Sequence, residues 1–120
     1  MGMRFEDVEA WQRARTLVSA VYRLTRGETL RPDFGLAGQI QRAAVSVMSN
    51  IAEGFERHHA SEKTQAYNVA RASCGEVRSL LYVVEDNYPA HAVRAIELRE
   101  QSEIAARLLS GLIAANERRR

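Results

Sequence analysis

Apolar residues recur every three or four positions along most of this 120-residue chain, a spacing that places them on one face of an α-helix. The sequence contains no strict apolar–polar alternation and no Asn-Gly hairpin turn, so it does not favour β-strands. The pattern is interrupted at Gly27, after Arg57 and at Pro89. It therefore predicts four helices, near residues 5–26, 33–57 and 61–87 and from Pro89 towards the arginine-rich end.

Polar residues suited to capping precede two of these helices. Asp33 is predicted to cap the second helix, and Ser61 is predicted to cap the third. Short connections between long helices favour antiparallel neighbours. We therefore predict an all-α protein, an antiparallel up-and-down four-helix bundle that forms a single domain over residues 1–120.

The predicted core consists of the apolar stripe that each helix presents when residues are placed 100° apart. The first two stripes are Val8, Trp11, Ala14, Val18, Val21 and Tyr22, then Leu36, Ile40, Ala44, Val47, Ile51 and Phe55. The last two are Ala66, Ala70, Cys74, Val77, Leu81 and Val84, then Val93, Ile96, Ile104, Leu108, Leu112 and Ile113. Leu17 and Leu24 widen the first stripe beyond what one neighbouring helix covers, so we expect a second copy of the chain to cover them.

The second helix carries an unusual polar strip opposite its apolar face, within the segment "SVMSNIAEGFER" and the turns before it. The strip comprises Gln39, Arg42, Ser46, Ser49, Asn50, Glu53 and Arg57, with Gly54 beside it. Serine, asparagine and glycine are poor formers of a helix interior, and exposed helix faces usually carry better ones. One interpretation is an ordinary solvated surface. Our hypothesis is that Asn50 and Glu53 form a polar network at a helix–helix or subunit contact, with Ser73 and Glu76 of the third helix as candidate partners.

The charge and cysteine content indicate a reduced, soluble protein. The 17 basic residues exceed the 15 acidic ones by two, which is too small an excess to predict a strong cationic field. Cys74 is the only cysteine, so no disulfide can form within the chain, and a cytoplasmic location is expected. The longest apolar run, "LLYVV", is far shorter than the roughly 20 residues that cross a bilayer, so we expect no membrane association.

The sequence gives little support for catalysis. Glu56 and His59 match the Glu-x-x-His pattern of di-iron bundles, but no second such pair and no further set of inward-facing glutamates accompanies them. Cys74 lies on an apolar stripe, where it is expected to pack rather than to react. We therefore predict no enzymatic activity, no cofactor, no metal site and no small-molecule substrate.

Arginines provide the candidate nucleic-acid contacts. Arg71 and Arg78 share the exposed side of the third helix, and Arg118, Arg119 and Arg120 end the chain. The alternative is a solvated, salt-bridged surface without affinity for nucleic acid. Tyr82, also expected on the exposed side, is a weaker candidate for stacking on a base.

Four blocks of the sequence together resemble one protein family. The blocks "FEDVEAWQRA", "FGLAGQIQRAAVSVMSNIAEGFER", "ARASCGEV" and "LLSGLIAA" are similar, in this order, to the four-helix-bundle proteins encoded in intervening sequences of bacterial 23S ribosomal RNA genes. The matching positions are Trp11, Leu36, Gln39, Ile40, Arg42, Ala43, Ser46, Asn50, Ile51, Glu53, Gly54, Ser73 and Glu76. Ala72 stands where glycine is commoner, and Cys74 replaces a larger aliphatic residue, so packing there is expected to differ.

The resemblance implies an assembly more clearly than it implies a role. It implies a ring-like homo-oligomer, a pentamer, and a distant relation to the accessory variability protein of diversity-generating retroelements, which binds nucleic acid. It implies no enzymatic activity. We therefore expect a homo-oligomeric binding or scaffold protein with affinity for RNA or DNA. The alternative is a protein-interaction adaptor that binds no nucleic acid.

Overall fold

The computed structural model describes residues 2–119 and contains four long helices. They are α1 (Glu9–Thr25), α2 (Phe34–Glu56), α3 (Ala60–Asn87) and α4 (Ala92–Arg118). Short 3₁₀ turns, Phe5–Asp7 and Pro89–His91, precede α1 and α4. No strand occurs within the described residues. Each helix packs against the next, and α1 also packs against α4, so the four close into the predicted bundle, about 46 Å long and 21 Å wide.

The helix ends agree with the predicted boundaries, with one correction. The Asp33 Oδ1 accepts a hydrogen bond from the Leu36 backbone N–H at 3.3 Å, which confirms the predicted cap of α2. The cap of α3 was placed wrongly, because the helix already begins at Ala60 after His59, with no side-chain capping bond. Pro89 opens the 3₁₀ turn that leads into α4, a position where a missing N–H leaves no helical hydrogen bond unmade.

The buried face of α1 corrects the expectation that Leu17 and Leu24 need a second chain. Leu17 is fully buried and Leu24 is 7% exposed within the single bundle. Both belong to a core cluster that includes Ile40 of α2 and Leu98 of α4. The stripe is wide because α1 packs against both α2 and α4 and needs apolar residues towards each of them.

The buried face of α4 was predicted correctly only towards its end. Val93 and Ile96 of the predicted stripe are exposed, whereas Leu108, Leu112 and Ile113 are half-buried and pack against the core. The face that enters the core consists mainly of small and medium side chains: Ala95, Leu98, Ser102, Ala105, Leu109 and Asn116. Small residues allow α4 to approach α1 and α3 closely. The predicted stripes of α2 and α3, by contrast, coincide with buried or half-buried positions throughout.

Candidate nucleic-acid interface

Part of the polar strip of α2 forms a hydrogen-bonded network within the bundle. The Ser46 and Ser73 hydroxyls lie 2.8 Å apart and join α2 to α3. The Asn50 side-chain N–H group donates to the Ser46 backbone oxygen at 2.9 Å and to the Ser46 hydroxyl at 3.1 Å. Ser73 is buried, whereas Ser46 and Asn50 are half-buried. The network therefore fixes the register of two helices at the edge of the core.

The other residues proposed for the strip lie outside this network. Gln39, Arg42, Glu53 and Glu76 are exposed, and their side chains make no hydrogen bond or ion pair within residues 2–119. The Arg42 guanidinium lies over Gly38, where a Cβ would be only 3.0 Å from an Arg42 nitrogen. The exposed part of the strip is thus available for contact with another molecule.

Gly54 explains why α2 tolerates a glycine beside the strip. The residue is buried, and a Cβ built on it would lie 2.6 Å from Cε1 and 2.8 Å from Cδ1 of Tyr67. Carbon atoms in contact are normally about 3.5–4.0 Å apart. Only glycine therefore lets the Tyr67 ring lie directly against the α2 backbone.

The candidate arginines of α3 lie along the groove between α3 and α4. The Arg71 guanidinium donates to the Ser110 hydroxyl of α4 at 3.3 Å and to the Asn68 side-chain oxygen, also at 3.3 Å. Arg78 pairs loosely with Glu103 of α4, at 3.9 Å. Arg78, Glu103 and Ser110 line one shallow depression of about 320 Å³, so the two predicted arginines meet on one surface.

Arg107 of α4 completes this surface, although the sequence pattern did not single it out. It lines the same depression as Arg78 and Ser110, is exposed, and makes no ion pair in the described part of the chain. Its position four residues after Glu103, on a helix antiparallel to α3, was the available signal. We call the surface formed by Arg71, Arg78, Arg107, Glu103 and Ser110 the arginine groove. Arg78 and Arg107 border the depression together with Glu103, and Arg71 reaches its edge through Ser110.

Only one of the three arginines at the end of the chain extends the arginine groove. Arg118 lies eleven residues after Arg107, which is about three helical turns and hence the same face of α4. Arg119 is exposed but lines a separate cavity at the end of the bundle. Arg120 lies outside the described residues. Arg118 is therefore the member of the basic end that extends the arginine groove.

The Tyr82 ring is not free to stack on a nucleic-acid base. Its ring is half exposed, but the Arg99 guanidinium of α4 covers it, 3.9 Å from the ring centroid. Arg99 also pairs with Glu85, and the hydrogen bond that its guanidinium donates to that carboxylate is the main cause that raises the pKa of Arg99. This cluster of an aromatic ring, a cation and a carboxylate joins α3 to α4 beyond the arginine groove.

The described residues show neither a membrane-spanning helix nor a cluster of metal ligands. None of the helices is long and apolar enough to cross a membrane. Residues 2–119 contain no cluster of three histidine, cysteine or acidic side chains that would hold a metal ion.

In comparisons with known proteins, the family model described as 23S rRNA-intervening sequence protein matches residues 6–111. Among curated proteins, none matches the chain.

Proposed function

The chain belongs to the 23S rRNA-intervening sequence protein family, and from this premise we propose that it is a non-catalytic, homo-oligomeric protein that binds RNA or DNA through the arginine groove. The observation that supports this most directly is that Arg78 and Arg107 line one depression and that Arg71 donates a hydrogen bond to Ser110 at its edge. The guanidinium group suits this task because its planar fork donates two parallel hydrogen bonds to a phosphate.

The surroundings of the arginines also favour a nucleic-acid backbone as the ligand. Gly75 and Gly111 are exposed on α3 and α4, and a Cβ on either would meet no atom within 4 Å. Small residues next to the arginine groove leave room for a bulky polyanion to approach. Glu103 is the one carboxylate in the groove, and it moderates affinity rather than preventing it, since its contact with Arg78 is long and exposed.

Assembly into a ring, a pentamer as the sequence resemblance implies, would repeat the arginine groove around one particle. We propose that the exposed part of the polar strip contacts a second subunit. Val45 and Val69 support this, because they are 40% and 45% exposed, and Val69 lines a depression with Asn50 and Glu53. The implied relation to the accessory variability protein of diversity-generating retroelements belongs to the same proposal, as does a cytoplasmic location.

The binding proposal is tested with two triple variants of equal charge. The first replaces Arg71, Arg78 and Arg107 by glutamine. The control replaces exposed arginines elsewhere whose side chains make no hydrogen bond or ion pair in the described chain, namely Arg13, Arg23 and Arg31. Fluorescence anisotropy with labelled RNA and DNA oligonucleotides at low salt is expected to show binding by the parent and the control, and strong loss in the groove variant. Equal loss in both variants would mean that only net charge matters.

The assembly proposal is tested separately by the mass in solution. Five chains of 13.5 kDa give a particle of about 68 kDa. Val69→Glu is expected to dissociate it, whereas Val93→Glu, at a valine of α4 that is 72% exposed, is expected to leave it intact. A 13.5 kDa species for the parent protein would refute the ring. An intact ring with no affinity for nucleic acid would favour the protein-interaction adaptor.

A further inference from the structure

A cavity of about 710 Å³ lies where α1 and α3 begin and where α2 and α4 end. Apolar side chains from all four helices and the segment before α1 line most of it. They include Val8, Phe55, Tyr67, Leu108 and Leu112. Its volume lies within the range typical of sites for small molecules, and concave, mainly apolar sites with a few polar groups are characteristic of them.

Several polar groups near the cavity already have partners. The Asn116 side-chain N–H group donates to the Ala60 backbone oxygen at 2.8 Å and to the Thr64 hydroxyl at 2.7 Å. The Lys63 ammonium donates to the Phe55 backbone oxygen at 2.7 Å and so satisfies the end of α2. These groups hold the cavity walls together.

The Tyr67 hydroxyl, by contrast, has no hydrogen-bond partner within residues 2–119, although the residue is only 3% exposed. Burial raises the pKa of Tyr67, and the positive charge of Arg119 acts in the opposite direction. Arg107 and Arg119 also line the cavity, and neither makes an ion pair in the described chain. Glu9 is the one acidic side chain among the lining residues. In the described chain, a hydroxyl donor without a protein partner and two arginines without an ion pair thus border a mainly apolar space.

We propose that this cavity binds a small amphipathic carboxylate, of the chemical class of a medium-chain fatty acid. The aliphatic chain lies against Phe55, Leu108 and Leu112, where it removes apolar surface from water. The carboxylate accepts a hydrogen bond from the Tyr67 hydroxyl and faces the guanidinium of Arg119. A carboxylate suits this position because it only accepts hydrogen bonds, while the tyrosine hydroxyl can donate one and a guanidinium only donates. The site shares Arg107 with the arginine groove but takes a ligand of a different class.

Calorimetric titration of the full chain with decanoate, decanol and decylamine tests the chemistry of the site. Decanoate is expected to bind at least tenfold more tightly than decanol, which has the same chain without the charge. Decylamine is expected to bind no more tightly than decanol. Equal affinities for all three ligands would overturn the proposal, as would the absence of decanoate binding.

Two variants test the placement of the ligand. Tyr67→Phe removes only the hydroxyl, and it is expected to weaken decanoate binding about tenfold or more while leaving decanol unchanged. Tyr82→Phe, at a half-exposed tyrosine elsewhere on α3, is the matched control and should bind decanoate as the parent protein does.

Gly111→Leu narrows the cavity at a position where a Cβ meets no atom. The fold should therefore be retained while the binding of both decanoate and decanol is lost. Full decanoate affinity in Tyr67→Phe or in Gly111→Leu would refute the assignment. These titrations contain no nucleic acid, and Tyr67→Phe leaves every residue of the arginine groove unchanged, so failure here would not count against the nucleic-acid proposal.

Discussion

Replacement of Gly54 by alanine tests the close contact between α2 and α3. The new methyl group would lie 2.6 Å from Cε1 of Tyr67 and 3.1 Å from the Cβ of Ala66. Tyr67 is 3% exposed, so its ring can move away from α2 only by displacing core side chains or by entering the cavity that it lines. Overpacking of this kind costs about 1–3 kcal/mol, and the upper part of that range applies because the neighbour is a buried ring. Alanine recovers up to about 1 kcal/mol of helix propensity. We therefore expect a net destabilisation of about 1–2 kcal/mol.

Gly75→Ala is the matched control for this prediction. Gly75 also lies within a helix, but a Cβ there meets no atom within 4 Å. The substitution should therefore stabilise the protein by about 0.4–1 kcal/mol. For a chain of this length, 1 kcal/mol corresponds to roughly 4 °C in melting temperature, so the two variants should melt about 6–12 °C apart.

The assay is thermal and denaturant unfolding followed by circular dichroism. A second comparison identifies the cause, because Gly54→Ala should cost nothing further in a Tyr67→Leu background if the tyrosine ring is responsible. The reasoning would be refuted if Gly54→Ala stabilised the protein as Gly75→Ala does, or if its penalty persisted without the ring.

Three further predictions follow from individual contacts. A double-mutant cycle of Ser46→Ala and Ser73→Ala should give a coupling energy of about 0.5–1.5 kcal/mol in chemical unfolding. Additive effects would show that the 2.8 Å contact between the two hydroxyls contributes nothing to stability. Glu103→Gln should tighten nucleic-acid binding in anisotropy titrations, because it removes the one carboxylate of the arginine groove; weaker binding would contradict this. Burial raises the pKa of the Cys74 thiol to about 11, above its ordinary value of 9.0. As the pH rises, the Cys74 thiol therefore ionises in the unfolded chain before it ionises in the folded one. The free energy of unfolding should fall between about pH 9 and pH 11, and it should fall less in Cys74→Ala. Equal pH profiles of the two proteins would refute this.

The sequence predicts α2 and α3 well because their apolar and polar residues are cleanly separated. Asp33 marks the start of α2 by its side chain, and the stripe from Ile40 to Ile51 is buried as expected. The polar network was predicted only in part: Asn50 and Ser73 belong to it as expected, whereas Ser46 takes the place expected of Glu53. Local chemistry determines each of these features.

The sequence predicts α4 poorly because apolar residues occur on more than one of its faces. Val93 and Ile96 are more hydrophobic than Ala95 and Ser102, yet the smaller pair is buried. Close approach of helices selects for size as well as hydrophobicity, and a single sequence does not show which face its neighbours require. Arg107 was missed for the same reason, since its position beside Arg78 depends on how α3 and α4 pack.

The dependence of nucleic-acid affinity on salt tests the proposed arginine groove most directly. For a single-stranded ligand, each phosphate contact contributes about 0.7 to the slope of log affinity against log salt concentration. Glutamine at Arg71, Arg78 and Arg107 should therefore make the slope shallower by about 2, while the control triple variant at Arg13, Arg23 and Arg31 should keep the parent slope. Identical slopes for the parent and the groove variant would contradict the account.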